Sequence, residues 1–367
     1  MTFDLTSVPH YVLYLIALVA SAGISMYAVR KVMFIMRRRG IYDTPDNTRK
    51  IHAEEIPTLG GIGIFIGYMV VTTFFMYFGV GAWHYVIASS ILLFFTGVYD
   101  DLMNMRPSKK LLVQLIASFI AIYFADIRIT SLYGLFGVGD ISYWASIVLT
   151  VFCCTLFINA FNFIDGIDGL ACGLTIIYVS VLGFLFAAMS SVGMTGIACG
   201  IIGAASGLLY FNIAPAKIYM GDTGSMFLGF TIFILCLSFI NQYAKDGEKI
   251  VATVHSMQGA VSIMLGILFL PVYDAFRVFI LRASRGISPL KADRTHLHYY
   301  LLDAGFSHSR SVMIIVLTNV LIIVIAYLMQ GVNLLLTSVV MTVVASLMLL
   351  GVYRLRRKKL ATTESLP

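Results

Sequence analysis

Charge is scarce in this chain. Asp, Glu, Lys and Arg together make up 12% of its 367 residues, about half the share of an ordinary soluble domain. With 59% hydrophobic residues and a mean hydropathy of +0.92, that scarcity excludes a disordered chain and an ordinary soluble enzyme. Cysteine is sparse too. Cys153, Cys154, Cys172, Cys199 and Cys236 all sit in or beside apolar runs, none in CxxC spacing, which argues against a disulfide framework or a zinc site. The opening residues MTFDLTSVPH hold no Lys or Arg. The basic n-region of a cleaved signal peptide is therefore missing, and the first apolar run is expected to stay. No internal repeat is visible, against the inverted-repeat transporters. The net charge is +7, but without a soluble basic face it predicts no nucleic-acid partner.

What is present is a series of eleven apolar runs, at about 10–29, 59–79, 83–99, 111–125, 141–158, 170–189, 193–213, 225–243, 257–280, 311–329 and 332–353. Most approach the ~20 residues that cross a bilayer as helix. With the N-terminus outside and strict alternation, the inner segments 30–58, 100–110, 159–169, 211–224, 281–310 and 354–367 hold 21 of the 25 Lys and Arg, and the outer segments hold three. That asymmetry follows the positive-inside rule. The expected fold is an all-α polytopic membrane protein of about 11 transmembrane helices, N-terminus outside and C-terminus cytoplasmic. It reads as a single integral-membrane catalytic domain over 1–367, with a basic tail at 354–367. Gly63 and Gly67, Gly196 and Gly200, and Gly203 and Gly207 stand four apart inside apolar runs, as close helix packing requires.

The acids cluster at the inner ends of spans, where a proton-coupled transporter would keep them near midplane. Asp100 and Asp101 end the third run, followed by Lys109 and Lys110. Two adjacent carboxylates beside hydrocarbon call for a cation. Asn159, Asn162, Asp165 and Asp168 recur every three residues in a stretch without Lys or Arg, a helical stripe of hard oxygen ligands suited to Mg²⁺. Asp222 opens the eighth run in a small-residue turn. That turn suits a helix N-cap or an anion such as phosphate, and beside the other clusters it is a second metal candidate. The loop 281–310 carries Arg282, Arg285, Arg294, His296 and His298, a set fitted to a phosphorylated substrate. Asp274 lies inside the ninth run, three residues before Arg277 and just after Pro271. It reads equally as a structural ion pair and as a functional group. His10, His84, His255 and His308 lack such context and read as surface or interfacial. Together the clusters suit phosphoryl transfer between a soluble nucleotide compound and a lipid.

Five motifs in order then carry a resemblance: Arg49-Lys50-Ile-His52 with Pro57-Thr-Leu-Gly-Gly61; Gly97-Val-Tyr-Asp100-Asp101 with Lys110 and Gln114; Asn159 to Leu170; Asn212 to Ser225; and Asp293-Arg-Thr-His296-Leu-His298. The chain resembles the polyprenyl-phosphate N-acetylhexosamine-1-phosphate transferases, glycosyltransferase family 4, in the branch that uses UDP-N-acetylglucosamine. The resemblance implies transfer of the sugar phosphate from UDP-GlcNAc to undecaprenyl phosphate in a bacterial cytoplasmic (inner) membrane, with Mg²⁺ as cofactor, Mn²⁺ able to replace it, and room for a homodimer. It implies Asp222 as metal ligand with Asn162 assisting, and Asp100 beside the lipid phosphate with Asp101. Asp165 and Asp168 would then line the uridine and diphosphate region, and His298 and His296 would meet phosphate. Lys50, His52, Lys110 and Asn159 become substrate contacts, and Arg282, Arg285 and Arg294 become sugar selectors. One departure is Tyr299, where the branch commonly has a further histidine.

Overall fold

Eleven helices long and apolar enough to cross a membrane run through the computed structural model, which describes residues 7–42, 56–246, 253–286 and 294–364. In chain order the helices are α1 (His10–Arg39), α2 (Gly61–Phe75), α3 (Trp83–Met103), α4 (Pro107–Phe124), α5 (Tyr143–Ile164), α6 (Leu170–Ala188), α7 (Val192–Asn212), α8 (Asp222–Asp246), α9 (Met257–Ser284), the short α10 (Leu297–Asp303), α11 (His308–Leu328) and α12 (Leu334–Glu364). Strand-type pairing among the described residues amounts to one isolated bridge, Ser131 with Asp140. Every apolar run read from the sequence is a helix, and the chain is a multi-pass membrane protein. Lys50 and His52 lie outside the described residues.

The sequence of α8 is apolar on all sides, the pattern of a helix surrounded by other helices rather than by solvent or lipid. Nearly all of Thr223–Ile240 is buried, against α2, α3, α5, α6 and α9. Below its first turn, Phe227 meets Phe65 of α2 edge-on at 5.4 Å, and Phe65 stacks on Phe94 of α3 at 3.9 Å. Such pairs add ~0.5–1.5 kcal/mol each beyond their buried area, and they fix α2, α3 and α8 just beneath the polar end.

The glycine pairs pack helices, as their spacing predicts. Gly203 and Gly207 of α7 leave no room for a Cβ against the Leu18 and Ala22 carbonyls of α1. Along the same seam the Ser21 and Ser25 hydroxyls donate to the Gly200 and Ala204 carbonyls, at 2.6 and 2.8 Å. Small residues let the two backbones approach, and the hydroxyls find partners that lipid cannot supply. Pro271 lies inside α9, which continues through it to Ser284.

Candidate active site

The two adjacent acids at the end of α3 do different things. Asp100 turns back on its own chain: Oδ1 accepts the Met105 N–H at 2.6 Å, and Oδ2 lies 3.1 Å from Lys110 Nζ. Asp101 reaches across to α8. Its carboxylate accepts the N–H groups of Asp222 (2.9 Å) and Thr223 (3.0 Å) and the Thr223 hydroxyl (2.6 Å). The first N–H groups of a helix have no partner within it, and Asp101 supplies one from another span. The sequence suggested that this N-terminus suits a phosphate; the anion it holds is the protein's own carboxylate.

Close approach makes this possible. Gly97 of α3 packs against the Asp222 carbonyl, and Gly61 of α2 packs against the Gly224 backbone. Gly221, at φ +73°, turns the chain into α8 beside the Asp101 carboxylate, a conformation and a space that exclude a side chain. The segment before α2 is held in the same corner: Gly60 and Gly61 donate to the Tyr219 and Met220 carbonyls, both at 2.9 Å, and Tyr219 N–H donates to Pro57 O at 2.9 Å.

Asp222 is the centre of the cluster. Lys110 of α4 forms an ion pair with it, and Asn162 of α5 donates an amide hydrogen to its other oxygen. The same amide nitrogen reaches Ser225 Oγ at 2.8 Å. Four helix ends, from α3, α4, α5 and α8, thus converge on one carboxylate. Asp165 caps the end of α5 beside them, its backbone N–H donating to the Asn162 carbonyl at 3.2 Å. Burial, and then the carboxylates of Asp222, Asp101 and Asp168, push its carboxyl up to about 8. The folded state therefore holds a proton that the unfolded chain releases near pH 4, so this acid favours folding at low pH and loses that contribution as pH rises through about 8. The thermal midpoint of the metal-free protein should fall by a few degrees between pH 6.5 and 8. Asp165→Asn should flatten that slope; an unchanged slope in the variant would refute the assignment.

Other predicted residues are placed nearby with partners of their own. Asp168 is buried, accepts the Ala216 N–H at 3.1 Å and lies 3.5 Å from His308 Nδ1. His308, read from the sequence as surface or interfacial, has an acid neighbour that the sequence did not show: at the start of α11 it lies against Asp168 of the α5–α6 loop. Asn159 exchanges amide hydrogen bonds with Gln114 of α4, the shorter at 2.6 Å. Arg282 is buried in the last turn of α9 and Arg285 is exposed just past it. Arg294 pairs with Asp303 at 3.1 Å.

Asp274 belongs with the histidines. Its carboxylate accepts Arg277 Nη2 (2.7 Å), lies 2.8 Å from His296 Nδ1 and takes the Leu297 N–H at 3.2 Å. Both readings of Asp274 were open; the geometry gives it the ion pair and also makes it the anchor of the His296-Leu-His298 segment. His298 stacks parallel to His296 at 5.8 Å, is 1% exposed, and among the described residues has no hydrogen-bond partner for either ring nitrogen. Its ring presses on Gly166, between Asp165 and Asp168. Burial, reinforced by His296, pulls its pKa down to about 3. His298 is thus neutral across the physiological range, a hydrogen-bond donor and acceptor rather than a charge.

Among the described residues, no three His, Cys, Asp or Glu side chains are grouped to hold a metal by themselves. The donor set nonetheless fits a hard cation. Asp222 and Asp100 face one cationic point, now taken by the Lys110 ammonium, the Asn162 amide lies against Asp222, and Asp165 feels uncompensated negative charge. Mg²⁺ is commonly held by one or two carboxylates together with substrate phosphates.

The profile of glycosyl transferase family 4 matches residues 83–240. A probable undecaprenyl-phosphate N-acetylglucosaminyl 1-phosphate transferase of Bacillus subtilis is 30% identical over 315 residues, which cover 83% of this chain and 82% of that protein. The chain belongs to glycosyl transferase family 4. The undecaprenyl-phosphate alpha-N-acetylglucosaminyl 1-phosphate transferases of Escherichia coli K12 (26% over 317 residues, 84% and 81% covered) and Salmonella typhi (29% over 314 residues, 83% and 79% covered) are similar along the same length. The family match begins with α3 and ends within α8. It takes in every member of the Asp222 cluster and stops before the histidine segment.

Proposed function

We propose that this glycosyl transferase family 4 member moves N-acetylglucosamine-1-phosphate from UDP-GlcNAc onto undecaprenyl phosphate, at the cytoplasmic face of a bacterial inner membrane. The observation that carries the reading is the convergence of Asp100, Lys110, Asn162, Asp165 and Asp222 at helix ends, where a soluble nucleotide and a lipid phosphate can meet. An oxygen of the lipid phosphate bonds to the sugar-linked phosphorus, the bond from that phosphorus to the oxygen bridging to the uridine phosphate breaks, and UMP leaves with the electron pair. Little covalent help is needed; positioning and charge neutralisation do most of the work.

Asp222, with Asn162 beside it, would hold Mg²⁺. When bound, the ion would neutralise charge on the diphosphate. Lys110 supplies a second positive charge and bridges Asp100 and Asp222. Asp100 faces the incoming lipid phosphate and can take its proton or orient it. Asp101 keeps Asp222 in place by holding the first turn of α8. His298, neutral and without a hydrogen-bond partner among the described residues, is poised to hydrogen-bond a phosphate oxygen.

Purified protein in detergent, given undecaprenyl phosphate and Mg²⁺, should release UMP from UDP-GlcNAc. Excess EDTA should stop turnover, and Mg²⁺, or Mn²⁺ in its place, should restore it. Release from a different UDP-N-acetylhexosamine alone would move the sugar assignment. No release from any sugar by folded protein would overturn the reading.

A further inference from the structure

The basic end of α12, Arg354-Leu-Arg-Arg-Lys-Lys359, reads from the sequence as a charge stop at the membrane surface. In the structure one of its residues does something more specific. Arg356 Nη2 lies 2.9 Å from Asp303 Oδ2 at the end of α10, while the other oxygen of Asp303 binds Arg294, just ahead of the histidine segment. The Arg356 guanidinium also lies over the Tyr300 ring at 4.6 Å. Arg277 lies over that ring too, at 5.1 Å, and itself binds Asp274 and the Thr295 carbonyl (2.5 Å). Tyr300 is thus in contact with two cations, one from α9 and one from α12. Helix α10 has only seven residues, too short to be stable alone, so its position is set by what grips it.

We infer that Arg356 is a positioning residue: together with Asp274 and Arg277 it grips α10 and holds the His298 ring against Gly166. This rests on the proposal that His298 meets the reacting phosphates. The α9 side fixes the first turn of α10 through His296 and the Leu297 N–H. The α12 side fixes the second turn through Tyr300 and Asp303. A planar guanidinium can stack on a ring and bind a carboxylate at once, which a lysine ammonium cannot reproduce.

The test compares two single-charge deletions in the same tail. Arg354 is exposed and takes no part in these pairs. Arg356→Ala, Arg354→Ala and the unaltered protein are treated with diethyl pyrocarbonate, and modification of His298 is followed by peptide mass spectrometry alongside UMP release. The expected result is several-fold faster modification of His298 in Arg356→Ala, and kcat down about tenfold with KM for the UDP-sugar nearly unchanged, since small misplacements cost rate rather than binding. Arg354→Ala should match the unaltered protein, and Arg356→Lys should fall between. Asp303→Asn, which leaves α12 intact, should behave as Arg356→Ala does and serves if that variant fails to purify. Equal modification of His298 in the Arg356 and Arg354 variants would overturn the inference. If the unaltered protein releases no UMP, the functional proposal fails, while the modification rates still decide whether Arg356 holds α10.

Discussion

Asp222→Asn should lower UMP release about a thousandfold while leaving the protein folded and extractable. The substitution keeps size and shape at the start of α8, and the Asp101 cap binds backbone groups that it does not touch. What it removes is charge. Lys110 loses one of its two carboxylate partners, and the Asn162 amide loses an anionic acceptor. In a site where preorganised charge does the catalysis, losing one such group costs ~10²–10³ in kcat, and losing the proposed metal ligand adds to that. The measurement is kcat against Mg²⁺ concentration beside a thermal midpoint. Near-normal turnover at any Mg²⁺ level would remove Asp222 from the centre of the site.

Gly97→Ala should damage both stability and activity, against the direction that local preference predicts. Alanine is the better helix former by ~1 kcal/mol, and Gly97 lies within α3. A Cβ there would stand 2.5 Å from the Asp222 carbonyl oxygen and 2.6 Å from Thr223 Cα. These are backbone atoms, so no side chain can rotate away and α3 must separate from α8. Overpacking of this kind costs ~1–3 kcal/mol, and the displacement carries Asp100 and Asp101 away from Asp222, costing ~10²-fold in rate. Gly23→Ala in α1, with no atoms near its would-be Cβ, should be neutral or mildly stabilising. A Gly97→Ala protein as stable and active as that control would show that the α3–α8 contact is looser than described.

The spans were legible because hydropathy alone selects them. Their ends were not. The third and fourth apolar runs stop short of Asp100 and start after Lys110, whereas α3 continues to Met103 and α4 begins at Pro107. Polar side chains end an apolar run without ending the helix, and here the candidates sit on those hidden end turns, Asp100 and Asp101 on the last of α3 and Lys110 on the first of α4. The α10 helix was missed for a related reason: seven residues with an alternating His-Leu-His start carry no helical period long enough to read. Asp100 and Asp101 look alike in sequence. Only the crossing of α3 and α8 separates a residue that faces Lys110 from one that caps a distant helix. Asp274 was undecided because the near pairing with Arg277 is visible in sequence, while the pairing with His296 spans 22 residues. The acid neighbour of His308 went unseen because Asp168 lies in a different loop.

The burial of α8 also bears on how the protein meets a changing bilayer. Spans that face lipid, such as α1, α11 and α12, can lean or snorkel when the hydrocarbon layer thins or thickens, at small cost per ångström. A span touched by helices on every side has no lipid-facing surface through which thickness can act on it directly. With Asp222 at its first turn, α8 serves as a fixed axis, and mismatch is absorbed by the outer ring of helices rather than at the end where phosphates would be exchanged.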